Sequence, residues 1–252
     1  MIFSELPTSA WLILLFSALI QGMSKGGVPG LGIMAVPFVA VVIPGKASTG
    51  LVLPMLIVGD FFALGYWRRS VSLRDLFRAL PWAILGVIVG WLLLGKIQDH
   101  QMRPVIGGTV LFILSIRAFR TWNDSRKGKH DSRVRGGRLF AAFMGALGGI
   151  TTMLANAAGP VIGAYLLSLK LSKETFLGTS AWFCFIVNWI KLPFMLHQSM
   201  ITTESLKVNI CLVPALVLGV GAGVWVIRRI NQKTFDWLVT SLAALASLRL
   251  LF

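Results

Sequence analysis

Pro81-Trp-Ala-Ile-Leu-Gly86-Val-Ile-Val-Gly90 recurs later in the chain as Pro214-Ala-Leu-Val-Leu-Gly219-Val-Gly-Ala-Gly223, and each copy leads to a basic residue followed by isoleucine, Lys96-Ile97 and Arg229-Ile230. The match extends outward. Gly50 lies ten residues before Asp60, and Gly178 lies ten before Asn188. Ser115-Ile-Arg117 is echoed by Ser247-Leu-Arg249, and Gly32 and Gly159 each follow an interruption in an apolar stretch. The offset between copies drifts only from 127 to 133. Glycines recur by chance in apolar helices, so it is the order of the whole series that reads as a duplication into two halves.

Composition sets the medium in which those halves fold. Of 252 residues, 56% are hydrophobic and only 13% charged, with a mean hydropathy of +0.79; soluble domains carry about one quarter charged residues. Twenty-four Lys and Arg against nine Asp and Glu give a net charge of +15. A nucleic-acid-binding protein would spread that excess over a polar surface. Here the bases sit between long apolar runs, the pattern of an integral membrane protein, so no nucleic-acid partner is expected. Cys184 and Cys211 lie in apolar runs without metal or redox spacing. His100, His130 and His197 show no ligand spacing either, and no cofactor or metal is expected. The first basic residue is Lys25, so the first apolar run reads as part of the mature protein and not as a signal peptide.

A bilayer-spanning helix needs roughly 20 residues. The runs 47–67, 175–196, 208–227 and 234–252 meet that length, and 79–95 and 104–119 come close. The other runs pair as 8–22 with 30–44 and 139–154 with 158–169. Gln21-Gly-Met-Ser-Lys-Gly-Gly-Val-Pro-Gly30 separates the first pair, and the second breaks around Asn156. As one helix, 8–44 would be roughly 55 Å long against a hydrocarbon core of about 30 Å. Each pair is therefore expected to form a broken helical hairpin, re-entrant or barely spanning, over 8–44 and 139–169. The expected fold is an all-α integral membrane protein of two inverted repeats, 1–122 and 139–252. Each repeat is a hairpin plus three transmembrane helices, and a basic linker at 123–138 joins them.

Charge supplies the orientation. If each hairpin returns to the side it left, the bases around 68–78, 117–138, 170–173 and 228–233 share one side, seventeen against four. Single crossings would give 13 against 8. The positive-inside rule selects the first arrangement and puts the linker in the cytoplasm, near anionic lipid.

Asp60 is the one acidic residue deep in an apolar run; Lys25, Lys191 and Arg249 are the deep bases. Ionisable groups at membrane depth cost several kcal/mol and face a partner or a cavity. Arg249, near the chain end, can snorkel. Asp60 has two readings, a salt bridge to Lys25 or Lys191 that ties helices together and a proton-coupling site. Lys25 lies in the first break beside Gly26-Gly27, where backbone can approach a ligand closely. A helix starting at Gly30 or Leu31, with Gly32 in its first turn, would aim free N–H groups at that ligand. The second break offers Thr151, Thr152, Asn156, Gly159 and Pro160, again polar donors ahead of a helix start. Asn188 and Lys191 lie one helical turn apart on one face. The candidate substrate-binding set is Lys25, Gly26, Gly27, Gly30, Gly32, Thr152, Asn156, Gly159, Asn188 and Lys191. It suits an anion; for both lysines, a structural ion pair with Asp60 is the competing reading.

At these residues the chain resembles the sulfite exporter TauE/SafE family of membrane transporters, whose two related halves each open with a glycine-rich break, an apolar stretch and a basic-Ala-x-x-Thr/Ser-like segment. The first copy reads Gly26-Gly-Val-Pro-Gly-Leu-Gly-Ile-Met-Ala-Val-Pro37, then Lys46-Ala-Ser-Thr-Gly50. The second reads Ala155-Asn-Ala-Ala-Gly-Pro160, then Lys173-Glu-Thr-Phe-Leu-Gly-Thr-Ser180, and departs from the family pattern by placing Asn156-Ala-Ala where a glycine cluster stands. The resemblance covers nearly the whole chain. It implies a multi-pass protein of the bacterial inner membrane that exports sulfite or an organosulfonate.

The expected function is secondary transport of such a small anion, by alternating access around a midplane site formed by the two breaks. An inside-negative potential drives anions outward by roughly 2.3 kcal/mol per charge per 100 mV. An anion channel is the alternative in the same class. A membrane-embedded lipid-phosphate enzyme is the alternative in another, but its nucleophile or general base would have to come from Asp60 alone. A purely structural subunit would not require charged residues at both breaks. A non-enzyme is therefore expected, with the bilayer and a small anion as partners and homo-oligomerisation left open. Orientation is directly testable: Asn231→Cys, in a Cys184- and Cys211-free background, should label with impermeant maleimide only from the cytoplasmic face. Labelling in intact cells would overturn the inverted arrangement.

Overall fold

Inside a bilayer every backbone N–H and C=O must be satisfied within the protein, and a helix does this within one segment. The computed structural model describes residues 6–28, 31–43, 45–98, 101, 137–231 and 234. Among them it holds eight helices and no strand: α1 (Thr8–Gly26), α2 (Leu31–Val42), α3 (Lys46–Trp67), α4 (Leu73–Lys96), α5 (Arg138–Ala155), α6 (Ala158–Ser168), α7 (Lys173–His197) and α8 (Thr203–Arg229). Five of these, α3, α4, α5, α7 and α8, are long and apolar enough to cross a membrane. The protein is an all-helical membrane protein.

Several helices outrun their apolar segments. α4 starts at Leu73 rather than 79, and α8 at Thr203 rather than 208. Polar first turns carry no hydropathy signal, but their caps define them. The Thr202 hydroxyl accepts from the Ser205 N–H while the Ser205 hydroxyl accepts from the Thr202 N–H, and Ser172 caps α7 through the Thr175 N–H. A larger correction concerns α1. It does not stop at Gly22 but continues to Gly26, so Lys25 sits in a last helical turn and not in the break. The run 104–119 and all of 234–252 but Thr234, with nearly all of the 123–138 linker, lie outside the described residues.

The repeated glycines are helix–helix contacts. A Cβ on Gly22 or Gly26 of α1 would collide with the Leu216 or Val220 carbonyl of α8, and one on Gly219 or Gly223 would collide with Leu19 or Met23. On the other side of the molecule, Gly86 and Gly90 of α4 lie against Ala146, Ile150 and Met153 of α5, and Gly145 and Gly149 lie against Ala79 and Ala83. In both seams residue number rises together on the two helices, so α1 runs parallel to α8 and α4 parallel to α5. Glycines four apart let the backbones approach to a distance that no side chain permits. These are the two most extensive helix interfaces among the described residues.

Between the seams, α3 and α7 cross as an antiparallel pair. Gly50 near the start of α3 abuts the Met200 carbonyl beyond α7, and Gly178 near the start of α7 abuts Ser70 beyond α3. Large apolar side chains such as Leu12, Phe16, Ile210 and Leu218 are left facing outward, as lipid contact allows. The seams give a sharp contrast. Gly149→Val and Gly219→Val should each destabilise by about 1–3 kcal/mol or more. Gly221→Val, on the same helix as Gly219 but facing open space, should leave thermal melting in detergent nearly unchanged.

Candidate functional site

Both hairpins turn on a residue with positive φ. Gly27 (φ 127°) ends α1 by returning its N–H and that of Val28 to the Ser24 and Met23 carbonyls; glycine suits this conformation because it has no Cβ. Asn156 (φ 50°, ψ 30°) ends α5 in the left-handed region, which asparagine tolerates. The replacement of glycine in the second break therefore preserves the turn and adds an amide. Asn156 uses it twice: Nδ2 donates to the Thr49 carbonyl of α3 at 3.0 Å, and Oδ1 accepts from Lys191 Nζ at 2.6 Å.

A continuous polar chain runs from this turn through the core. Lys191 Nζ also donates to Thr152 Oγ1 (3.1 Å) and Asn188 Oδ1 (3.4 Å), so three acceptors surround one fully buried ammonium. Asn188 Nδ2 donates to Asp60 Oδ2 at 2.7 Å. The other carboxylate oxygen, Asp60 Oδ1, pairs with Lys25 Nζ at 2.5 Å. Asp60 is fully buried, and both of its oxygens are engaged. With all three ionised groups charged, the chain carries one net positive charge.

This chain borders a cavity of about 100 Å³. A water needs about 10–15 Å³ measured this way, so the space holds several waters or one small oxyanion. Both hairpins reach it. From the first come Gln21, Ser24, Lys25 and Gly27 of α1 and its turn, with Gly32 in the first turn of α2; from the second come Thr152, Asn156 and Gly159. Asp60 and Asn188 stand between them, and Trp67, Phe176 and Leu177 supply apolar wall. The first turns of α2 and α6, whose N–H groups lack intrahelical partners, thus border a single space.

The two breaks do not meet at one midplane point. Gly27 lies beside Leu177 and Ile227, near the Arg68 end of the α3–α7 pair, while Asn156 lies beside Thr49, near its Lys46 end. The cavity bridges the difference. Of the sequence-derived set, Lys25, Gly27, Gly32, Thr152, Asn156, Gly159, Asn188 and Asp60 line it. Lys191 does not; it acts one layer behind, holding Thr152 and Asn156. Gly26 is spent on the α1–α8 seam, and Gly30 lies outside the described residues. Sequence reasoning missed Gln21, Ser24, Ser180 and Cys184, which also line the space. Their signal was present: Gln21, Ser24 and Lys25 fall at i, i+3 and i+4, and Ser180, Cys184 and Asn188 at i, i+4 and i+8, each a polar stripe on an apolar helix. Gln21 Oε1 is buried there without a hydrogen-bond partner.

A partly open cavity beside the largely buried Lys25 ammonium, reached by two helix starts, is a geometry for a small anion. In keeping with this, the family model for the sulfite exporter TauE/SafE matches residues 13–250. The chain belongs to this family. No match was found among curated proteins or solved structures. As a TauE/SafE member it is a multi-pass membrane protein of a transporter family named for sulfite export.

The Lys25–Asp60 pair is open to thermodynamic dissection. Removing one partner of a buried pair leaves the other uncompensated and costs about 3–5 kcal/mol. Lys25→Ala should therefore lower the melting temperature markedly, and adding Asp60→Asn should recover most of the loss. Melting of Lys25→Ala at the parent temperature would show that the pair contributes no stability.

Proposed function

We propose that the chain is a secondary transporter of the bacterial inner membrane that moves a small anion, sulfite or an organosulfonate, by alternating access. The cavity beside Lys25 is its substrate site in this state. The observation that carries the reading is that one apolar-walled cavity is bordered by both broken hairpins and by an ammonium. Each helix start contributes only about half a unit charge, so a dianion requires a full charge as well, and Lys25 is the one that borders the cavity.

Alternating access by inverted repeats is supported by the way the halves interlock. The hairpin of each half packs on a long helix of the other, α1 on α8 and α5 on α4. The matched residues Asp60 and Asn188 touch each other, as residues on a twofold axis must. Rocking one hairpin bundle against the other would pivot on this pair.

Asp60 supplies the coupling. Ionised, it holds Lys25; protonated, it releases Lys25 to the anion and raises the net charge of the site by one. Proton and anion then bind cooperatively, and affinity rises as pH falls. Asp60→Asn mimics the protonated state, so it should bind anion and lose the pH dependence of transport between pH 5 and 8. In that background Lys25→Ala should weaken sulfonate binding by roughly 1.5–3 kcal/mol, the range for a hydrogen bond to a charged group. Calorimetry on purified protein reads the binding. Flux and counterflow of labelled sulfonate in protein-containing liposomes read the transport, since a carrier gives counterflow and a channel does not. Absence of any sulfonate flux would overturn the proposed function; unchanged binding in the Lys25 variant would move the site elsewhere.

A further inference from the structure

The cavity is lined from only one half of the α3–α7 pair, although Thr152, Asn156 and Gly159 of the second hairpin also border it. On α3 it is lined by Leu56, Asp60, Ala63 and Trp67, and on α7 by residues between Phe176 and Asn188. Its walls therefore run from the Asp60–Asn188 contact toward the Arg68 end. No described residue from 48–55 of α3 or 189–197 of α7 lines it.

Asp60 and Asn188 are 128 residues apart, as are Gly50 and Gly178. Applying that offset to the cavity lining divides it into two sets. Leu56 maps onto Cys184 and Asp60 onto Asn188, all four of which already line the cavity. They sit at the axis and belong to both halves. The other six lining residues of α3 and α7 map onto residues of the opposite half: Ala63 onto Lys191, Trp67 onto Met195, Phe176 onto Ser48, Leu177 onto Thr49, Ser180 onto Val52 and Ala181 onto Leu53. These six images are each no more than 1% exposed. Thr49 Oγ1, moreover, is buried without a hydrogen-bond partner. That is a cost a packed helix would not carry without reason.

From this we infer a second anion half-site, closed in this structure, formed by Lys191 and Thr49 with Met195 and Val52 as its walls. It opens toward the Lys46 end when the Lys25 half-site closes. The inference rests on the alternating-access reading above. In this state Lys191 is held by Thr152, Asn156 and Asn188. When the second hairpin withdraws, Thr152 and Asn156 leave, and the ammonium faces the new space beside the Thr49 hydroxyl. The ligand class is the same small oxyanion, handed from Lys25 past Asp60 and Asn188 to Lys191.

The test uses the full chain with its native cysteines, and modification at each position is read by peptide mass spectrometry. The probes are an anionic and a cationic methanethiosulfonate of equal size. Thr49→Cys and, as a second reporter should that variant not fold, Met195→Cys are labelled in spheroplasts, where the Lys46 end is presented. Ala63→Cys is labelled in inside-out vesicles. Thr49→Cys should react from the Lys46 face, faster with the anionic reagent, and ethanesulfonate should slow it. Adding Lys191→Gln should cut the anionic preference at least about tenfold, the scale of charge focusing in a low-dielectric cleft; a purely structural lysine would leave it unchanged. If both reporters stay unreactive from that face while Ala63→Cys labels and sulfonate flux persists, the second half-site is wrong and the transporter reading stands. If sulfonate flux is absent in the parent, both fall.

Discussion

Two ammonium groups and one carboxylate lie buried among apolar helices, and the arrangement of the core follows from keeping them compensated. Each isolated ion would cost several kcal/mol to bury. The molecule meets that cost with one connected chain: Lys25 on Asp60, Asp60 on Asn188, Asn188 on Lys191, and Lys191 on Thr152 and Asn156. The chain joins α1, α3, α7 and the second hairpin. Displacing any of these elements breaks a hydrogen bond to a buried charge, so the positions of both hairpins are tied to the same few polar atoms. The same polarity makes the adjoining cavity hospitable to an anion.

The glycine seams make that chain geometrically feasible. α1, which carries Lys25, is held close to α8 along Gly22, Gly26, Gly219 and Gly223. Gly59, beside Asp60, leaves room for the Lys25 methylenes, which a Cβ there would crowd. Apolar side chains provide no driving force between helices in lipid, so packing contacts and polar pairs must hold the bundle. Here the small residues bring the helices together and the polar chain fixes their register.

Much of this was legible in the sequence, for identifiable reasons. Helix class and membrane character followed from apolar run length. The breaks followed from runs too short to span and too long to be one helix. Asp60, Lys25 and Lys191 stood out because charge at membrane depth is rare. What escaped notice depended on three-dimensional proximity or on signals that hydropathy does not carry. The polar first turns of α4 and α8 were lost because they lie beyond the apolar stretch. The Gln21-to-Lys25 segment read as a break because glycine, serine and lysine interrupt the apolar pattern, yet packing against α8 keeps it helical. That Lys191 stands behind the cavity in this state was not legible, since nothing in the sequence says that Asn156, 35 residues away, accepts a hydrogen bond from it. The glycine repeat was recognised as a repeat, but its partners are not sequence neighbours.

The α1–α8 seam has a consequence for synthesis. Gly22 meets Leu216 and Gly26 meets Val220, whereas the α4–α5 seam joins segments much closer in the chain. At 5–20 residues per second, about 10–40 s separate emergence of α1 from emergence of its partner. Throughout that interval the first hairpin lacks the surface that its glycines are shaped for. Asp60 emerges within seconds of Lys25, so the ion pair can form early and shield the lysine from lipid while α1 waits. α8 then docks into a groove already held open by the early charges, so the first hairpin completes its packing only after the second half has been made.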